Sequence, residues 1–587
     1  MDTLTVTTPE NPAPASAAKE SPAKASQRFS SLENWLQSHA TGVALVLVAV
    51  GFVFRVLAAR GTFLNPDEAL QYMQANQRSA FLAYKASLTN AHPPLLFLVL
   101  YFWEFLGRSE WMLRMPSVLA GTACCWLSFK WIGRLFGNAA GLIGLVLLTF
   151  APSMIDLSAE LRQYALLLMC TTGALLALIN AFEENSARAM WLSSILLSLA
   201  ILSHYGAVFV IAALTLYALV RIADSQASRK VILAWVSGQA IVLAVFAFVY
   251  YTHVAKVKNS RIPAWSSPFQ QYFFHWQDGD LFFFLRENTS NIFLYSFKEH
   301  YVSAFLLILF LLGVIYLFAT GLFPRSEQRR SGHLGILLVL PFMAAWAGAI
   351  GGIYPYIGSR HTIFLVPFAV AGVSVALAVL TRQKLWAGAL VALALMGVSH
   401  AYGKPSAGRI PRKDQDRLLM VSAVNYVHEA VPKNEIIVTD YQSSLLGAYY
   451  LCGPKQITGL ENADAAFQEV HCGGYTVVAL SSALWKLKPE NFTAQTAAVI
   501  RAYNLKPGTR FWIFQAGWGR NLDKELPSSD AKWNCISAKT FGANISVLSF
   551  VVGADFLPAV PTGSCVAGQA APSKAKSGLT GPPSEEQ

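Results

Sequence analysis

Two adjacent acids, Asp67 and Glu68 in "GTFLNPDEAL", follow a long apolar run in a chain of 587 residues of which only 13% are charged. Carboxylates in such a place can start a helix or take a proton from a substrate. Asn65 suits an N-cap, Pro66 the first helical position and Glu68 the third, which makes a variant of the capping box. Capping accounts for Glu68. It accounts less well for Asp67, which at the second position gains only ~0.3–1 kcal/mol from the helix dipole. Helix starting and chemistry are therefore its two readings. Further on, "SAELRQYALLLM" supplies Glu160, Arg162 and Tyr164. An Arg and a Tyr two apart do not share a helix face, so the spacing predicts that they line a pocket where a helix begins rather than pair with each other. Sugar or acceptor binding is one role for them, interfacial anchoring the other; Glu160 is a second acid or a cap. His92 in "NAHPPL" and His204 in "LSHYG" are candidates for substrate binding. They lack the clustered spacing of a metal site and could equally serve a Pro-Pro turn and a helix break, so metal ligands stay unassigned.

These residues need a scaffold, and the composition says which. Apolar residues make up 54% of the chain, more than a soluble globular protein usually carries. The net charge of +12 is spread through short loops with no basic stripe, which argues against a nucleic-acid partner. Residues 1–38, rich in Ala, Pro, Ser and Lys, are expected to be a disordered arm. Residues 39–402 read as a polytopic helical bundle that begins with a retained span at about 41–59. Residues 403–587 alternate helical and strand patterns: "DRLLMVSAVNYVHEAV" reads as a helix, and "EIIVTD", "YTVVALSS" and "RFWIFQ" as strands of a separate soluble α/β domain.

Short basic loops stay in the cytoplasm. Lys130 and Arg134, "EENSAR", "RIADSQASRK", "PRSEQRR" and "TRQK" then fit one path of about eleven spans with the N-terminus inside. That path requires "HPPLLFLVLYFWEFLG", about 24 Å as a helix, to stay outside within a long first loop at 61–110. It also requires Trp191 to Val220 to form two short spans that break at "LSHYG". The motifs with chemistry, and the soluble domain, fall together on the outer face. Ionisable groups at a membrane boundary are functional suspects.

The ordered series "PDEA", "HPPL", "LRMPSVLAG", "SAELRQYALLLM", "LSHYG" and "SRHTIFLVPF" resembles the glycosyltransferase family 39 type of the GT-C superfamily. Relatives include protein O-mannosyltransferases and the transferases that add aminoarabinose to lipid A. The resemblance covers about residues 41–400. It implies a sugar donor carried on a polyprenyl phosphate, an acid of the first outer loop at the reaction centre, and a possible divalent metal. Under it Asp67 becomes the base that takes the proton of a hydroxyl acceptor in a lipid, glycan or protein. Arg360 matches the family's Arg-aromatic position and would hold the phosphate, with snorkelling to the headgroups as its other reading. His361 stands where Tyr is more usual. The expected site is thus Asp67 as catalytic residue with Glu68, His92, Arg162, Tyr164, His204, Arg360 and His361 binding substrate.

An integral membrane glycosyltransferase is accordingly expected, in a bacterial inner or plasma membrane, among membrane lipids and with the soluble domain extracytoplasmic. The competing classes are a polyprenyl-lipid or sugar transporter or flippase, which should show inverted repeats and charged broken spans, and a non-catalytic scaffold. The cysteines divide by region, Cys124, Cys125 and Cys170 in apolar runs and Cys452, Cys472, Cys535 and Cys565 in the soluble part. An even number there suits disulfides in an oxidising compartment. The shortest of three pairings are Cys452 with Cys472 and Cys535 with Cys565, and free thiols are the alternative.

Overall fold

The computed structural model describes residues 22–224, 227–256, 272–277, 279–322, 331–404, 410–453, 467–472, 474–480, 489–518 and 533–553. It is a polytopic helical membrane protein with a C-terminal six-stranded sheet. Eight helices among the described residues are long and apolar enough to cross a membrane: Ala40–Ala59, Tyr164–Glu183, Ala207–Asp224, Arg229–Val254, His300–Gly321, Gly332–Ile350, Arg360–Leu380 and Leu385–Tyr402. The pair Asn138–Phe150 and Pro152–Ser158, bent by 61°, makes a ninth if it is one span. A path of eleven crossings also needs the long but charge-bearing Glu110–Phe136 and the short Ala187–Ser203.

Pro152 lacks the N–H that would bond to Leu148, which is why the helix bends there. The freed carbonyls do not go unpaired. Arg55, fully buried in the first span, donates to Leu148 O (3.2 Å) and Thr149 O (3.1 Å), and to Gly51 O (3.1 Å) and Ser158 Oγ (3.3 Å). A buried cation with no acid partner among the described residues is here a cap on the negative end of a broken helix. The break at "LSHYG" separates Ala187–Ser203 from Ala207–Asp224. Gly206 fits it because a Cβ there would lie 2.9 Å from Phe364 and 3.0 Å from His204.

The segment 61–110 holds three short helices, Pro66–Ala75, Ala80–Ser87 and Leu95–Trp103, the last only nine residues. At the opposite end Arg134 pairs with Glu183 (2.5 Å) and Glu184 (2.7 Å), joining two of the basic loops. The arm differs from expectation. Residues 1–21 lie outside the described residues, but Pro22–Ser38 is a helix. Its Glu33 accepts a hydrogen bond from Leu385 N–H (3.0 Å) at the start of the span Leu385–Tyr402, so a side chain from the arm satisfies an otherwise orphaned helix donor. "PRSEQRR" lies outside the described residues.

In the C-terminal part the order is β2-β3-β1-β4-β6-β5, with β1 (Ile436–Thr439) parallel to β3 (Tyr475–Leu480) and β4 (Arg510–Ala516). β2 (Phe467–Cys472), β5 (Trp533–Thr540) and β6 (Ile545–Val552) pair antiparallel around them. The helix read in "DRLLMVSAVNYVHEAV" is Arg417–Ala430. One apolar core is shared between this part and the segment 61–110: Phe63, Leu64, Tyr72 and Phe97 pack with Leu445, Leu446, Tyr449 and Phe514.

Candidate active site

Helix Pro66–Ala75 begins with the capping box that the sequence predicts: Glu68 N–H donates to Asn65 Oδ1 (3.0 Å) and Asn65 N–H to Glu68 Oε2 (2.9 Å). Glu68 does more than cap. Its Oε1 accepts from Arg114 Nε (2.7 Å) and Leu161 N–H (2.8 Å), and its Oε2 also accepts from Arg114 Nη2 (2.7 Å). Four donors fill the four lone-pair positions of a carboxylate, and the side chain is fully buried. The expectation that Glu68 binds substrate is therefore corrected, since it has neither surface nor acceptor capacity left. Arg114 in turn donates to Ala59 O (2.9 Å), Thr62 Oγ1 (2.8 Å) and Phe63 O (3.0 Å), so the Glu68–Arg114 pair locks the entry of helix Pro66–Ala75 and the turn at Leu161 to helix Glu110–Phe136.

Asp67, one residue earlier, points the other way. Its Oδ2 lies 2.6 Å from Arg162 Nη1 and 3.1 Å from Arg360 Nη2. These are ion-pair contacts in which neither donor is aligned for a hydrogen bond to that oxygen. Asp67 remains 16% exposed at the side chain and Arg360 38%. One carboxylate thus faces two guanidiniums with one open side, and the charge of Glu160 also acts on Arg360.

Arg162 sits in the turn between Pro152–Ser158 and Tyr164–Glu183, where Ser117 Oγ donates to its carbonyl (3.0 Å). Its guanidinium lies 5.7 Å from the centroid of the Tyr164 ring. The two were expected not to pair. They do so because Arg162 precedes the helix, where the helical spacing rule does not apply. Tyr164 also meets His204 (ring centroids 5.2 Å) and His361 (6.3 Å), and His204 meets His92 (6.1 Å) and His361 (6.3 Å). Every residue expected at the site except Glu68 lies in this one connected cluster.

The imidazoles are neutral groups in a cationic setting. Burial, then the charge of Arg162, holds His92 well below the usual histidine range. Burial followed by Arg162 and Arg360 brings His204 down to about 3. Gly206 N–H donates to His204 Nδ1 (3.0 Å), so the proton of the neutral ring is on Nε2. Among the described residues no group of three or more His, Cys, Asp or Glu side chains is arranged to hold a metal ion. Imidazoles about six ångströms apart and faced by two guanidiniums do not make a cation's ligand set.

Several contributors escaped the sequence reading. Tyr354 donates to His361 O (3.0 Å) and packs on His204 and Phe209; its only signal was its place in "YPYIGSRH". His253, at the π-helical end Tyr250–Val254 of a span, donates from Nε2 to Asn90 O (2.6 Å) and accepts at Nδ1 from Tyr205. Asn90 Nδ2 in turn donates to Gln74 Oε1 (2.6 Å). This chain fixes the turn that delivers His92, and it joins residues too far apart in sequence for any spacing to reveal.

The fold, a helical membrane bundle with a C-terminal sheet, has counterparts among known proteins. Residues 91–251 match the family model for dolichyl-phosphate-mannose-protein mannosyltransferase. The structure of ArnT from Cupriavidus metallidurans bound to undecaprenyl phosphate superposes with a TM-score of 0.51 at 14% identity, over 87% of this chain and 98% of that one. The oligosaccharyltransferase of Archaeoglobus fulgidus in its apo form gives a TM-score of 0.48 at 10% identity, over 87% of this chain and 74% of that one. Comparison with curated protein sequences gives no match.

Proposed function

We propose that this protein transfers a sugar from a polyprenyl-phosphate carrier to a hydroxyl acceptor on the outer face of a bacterial inner or plasma membrane. The observation that carries the reading is Asp67, the acid whose acceptor capacity is not consumed, held against Arg162 and Arg360 at the meeting point of three outer loops. The two guanidiniums suit the phosphate of a carrier such as the undecaprenyl phosphate of the ArnT structure. On arrival the phosphate would compete with Asp67 for them and release its carboxylate toward the acceptor. The acceptor oxygen then bonds to the anomeric carbon as the bond from that carbon to the phosphate oxygen breaks. The acceptor proton passes to Asp67, and the electron pair leaves with the carrier phosphate, where Arg162 and Arg360 stabilise its charge. The buried His204 and Tyr164 and the partly exposed His92 would supply hydrogen-bonding edges and apolar faces for a sugar ring.

The test is to incubate the purified protein with a panel of polyprenyl-phosphate sugars and follow sugar release and transfer by mass spectrometry. Turnover of at least one carrier by the wild type, absent in Asp67→Asn, is the expected result. No release from any member of the panel, together with carrier movement across vesicles holding the protein, would favour the flippase reading.

A further inference from the structure

Helix Pro66–Ala75 is gripped from two sides, and only one grip belongs to the membrane bundle. That grip is the Glu68–Arg114 pair. The other comes from the C-terminal part of the chain. Its leading segment pairs with the strand-like entry to the outer loop: Thr62 and Asp416 form an antiparallel bridge, Phe63 N–H donates to Gln415 O (3.0 Å), and Arg417 N–H donates to Gly61 O (2.8 Å). Gln415 Nε2 donates to Phe63 O (2.7 Å).

The pairing stops at Phe63, and Leu64 N–H would be left without an acceptor in a fully buried position. Tyr450 supplies one. Its hydroxyl oxygen accepts from Leu64 N–H (2.9 Å) and donates to Glu110 Oε1 (3.3 Å), which also accepts from Arg417 Nε (2.9 Å). Tyr450 ends the helix Tyr441–Tyr450, whose start is capped by Asp440 through Ser443 N–H (2.7 Å). Beside it Tyr449 donates to Arg108 O (2.6 Å) and sets its ring edge-on to Tyr72 on the helix of Asp67. Gly517, at φ +105°, approaches so closely that a Cβ would lie 2.6 Å from Pro66 Cγ. Leu64 adjoins the N-cap and Pro66 adjoins Asp67. Both contacts therefore act on the backbone that aims the carboxylate.

We propose that the C-terminal domain is a clamp on the outer loop and that Tyr450 is a positioning residue for Asp67, acting through Leu64 and the start of helix Pro66–Ala75. The kinetic consequence rests on the transferase reading; the mechanical one does not. A buried N–H stripped of its acceptor seeks water or a new partner, and the turn that ends at Asp67 loosens with it. Arg162 and Arg360 are untouched, so carrier binding persists while the base loses its alignment. Misplacement of a reacting group by about 1 Å can cost roughly a hundredfold in rate.

Tyr450→Phe in the full-length protein tests this by two readouts. Amide hydrogen exchange followed by mass spectrometry should be at least about tenfold faster across residues 61–73 and unchanged in the span Val366–Leu380. With a polyprenyl-phosphate sugar, kcat should fall by roughly ten- to a hundredfold while the carrier KM stays within about twofold. Unchanged exchange at 61–73 overturns the clamp, whereas faster exchange with full kcat upholds the clamp and overturns the positioning role, because the hydroxyl would then be merely structural. A wild type inert toward every carrier removes the transferase reading, and the exchange arm still decides the clamp. Should Tyr450→Phe fail to fold, Gly517→Ala, which drives a methyl group against Pro66, must give the same pair of changes.

Discussion

Asp67 and Glu68 are sequence neighbours whose surroundings divide their labour. Asp67→Asn keeps the size of the side chain and removes its ability to take a proton, so turnover should fall by roughly a hundredfold or more with the fold intact. Normal turnover in that variant, measured by sugar transfer, would exclude Asp67 as the base. Glu68→Leu should do the opposite kind of damage. It leaves Arg114 as a buried cation without its partner, a loss of about 3–5 kcal/mol, and thermal denaturation in detergent should show a much lower midpoint. Arg360 is distinguishable from both. Arg360→Ala should raise the carrier concentration needed for half-maximal rate, and Lys should restore only part of it, since an ammonium lacks the guanidinium's fork. A carrier dependence equal to wild type in the alanine variant would return Arg360 to a headgroup anchor.

At the scale of elements, much of the scaffold was legible because local chemistry decides it. "NPDE" carries its own capping box, "LSHYG" its own helix break, and the apolar runs their own length. What could not be read depends on partners far away in the chain. Glu68 looked available for substrate because its Arg114 and Leu161 partners come from other segments, and nothing near Arg55 in sequence points to the carbonyls freed by Pro152 that it caps. The same holds for the histidine layer, which is assembled from three loops and yields a prediction about acid. His92 and His204 titrate below the unfolded value of about 6.5, so above that pH neither state binds a proton and no penalty arises. As pH falls from about 6.5 toward the folded values, the unfolded chain binds protons that the folded one refuses. Stability should then drop by up to about 1.4 kcal/mol per pH unit for each ring. The denaturation midpoint should fall between pH 6.5 and 4, and His204→Gln should flatten that fall; an identical slope in the variant would assign the acid sensitivity to other groups.

At the scale of the molecule, the arrangement demands that the C-terminal domain and Asp67 share one side of the membrane, because Tyr450 and Gln415 bond directly to the entry of the outer loop. The cysteines yield a prediction about which side that is. Cys452 and Cys535 are disulfide-bonded, whereas Cys124, Cys125 and Cys170 are free and buried in the bundle. The side chain of Cys472 and all of Cys565 lie outside the described residues, as does the expected pairing of Cys452 with Cys472 and Cys535 with Cys565. Bonded cysteines persist in an oxidising compartment and are reduced in a cytosol. A membrane-impermeant thiol reagent applied to intact cells should therefore label this domain only after a reductant has been added, and peptide mapping without reduction should recover Cys452 and Cys535 in crosslinked fragments. Lys130 and Arg134 lie in the last turns of helix Glu110–Phe136, at the end away from Asp67, so a cysteine placed at Arg134 should react only once the membrane is opened. If the domain's thiols instead react without reductant, and only in permeabilised cells, the domain is cytosolic. Asp67 would then go with it, because the backbone pairing of residues 61–63 with 415–417 leaves no way to put the two on different sides.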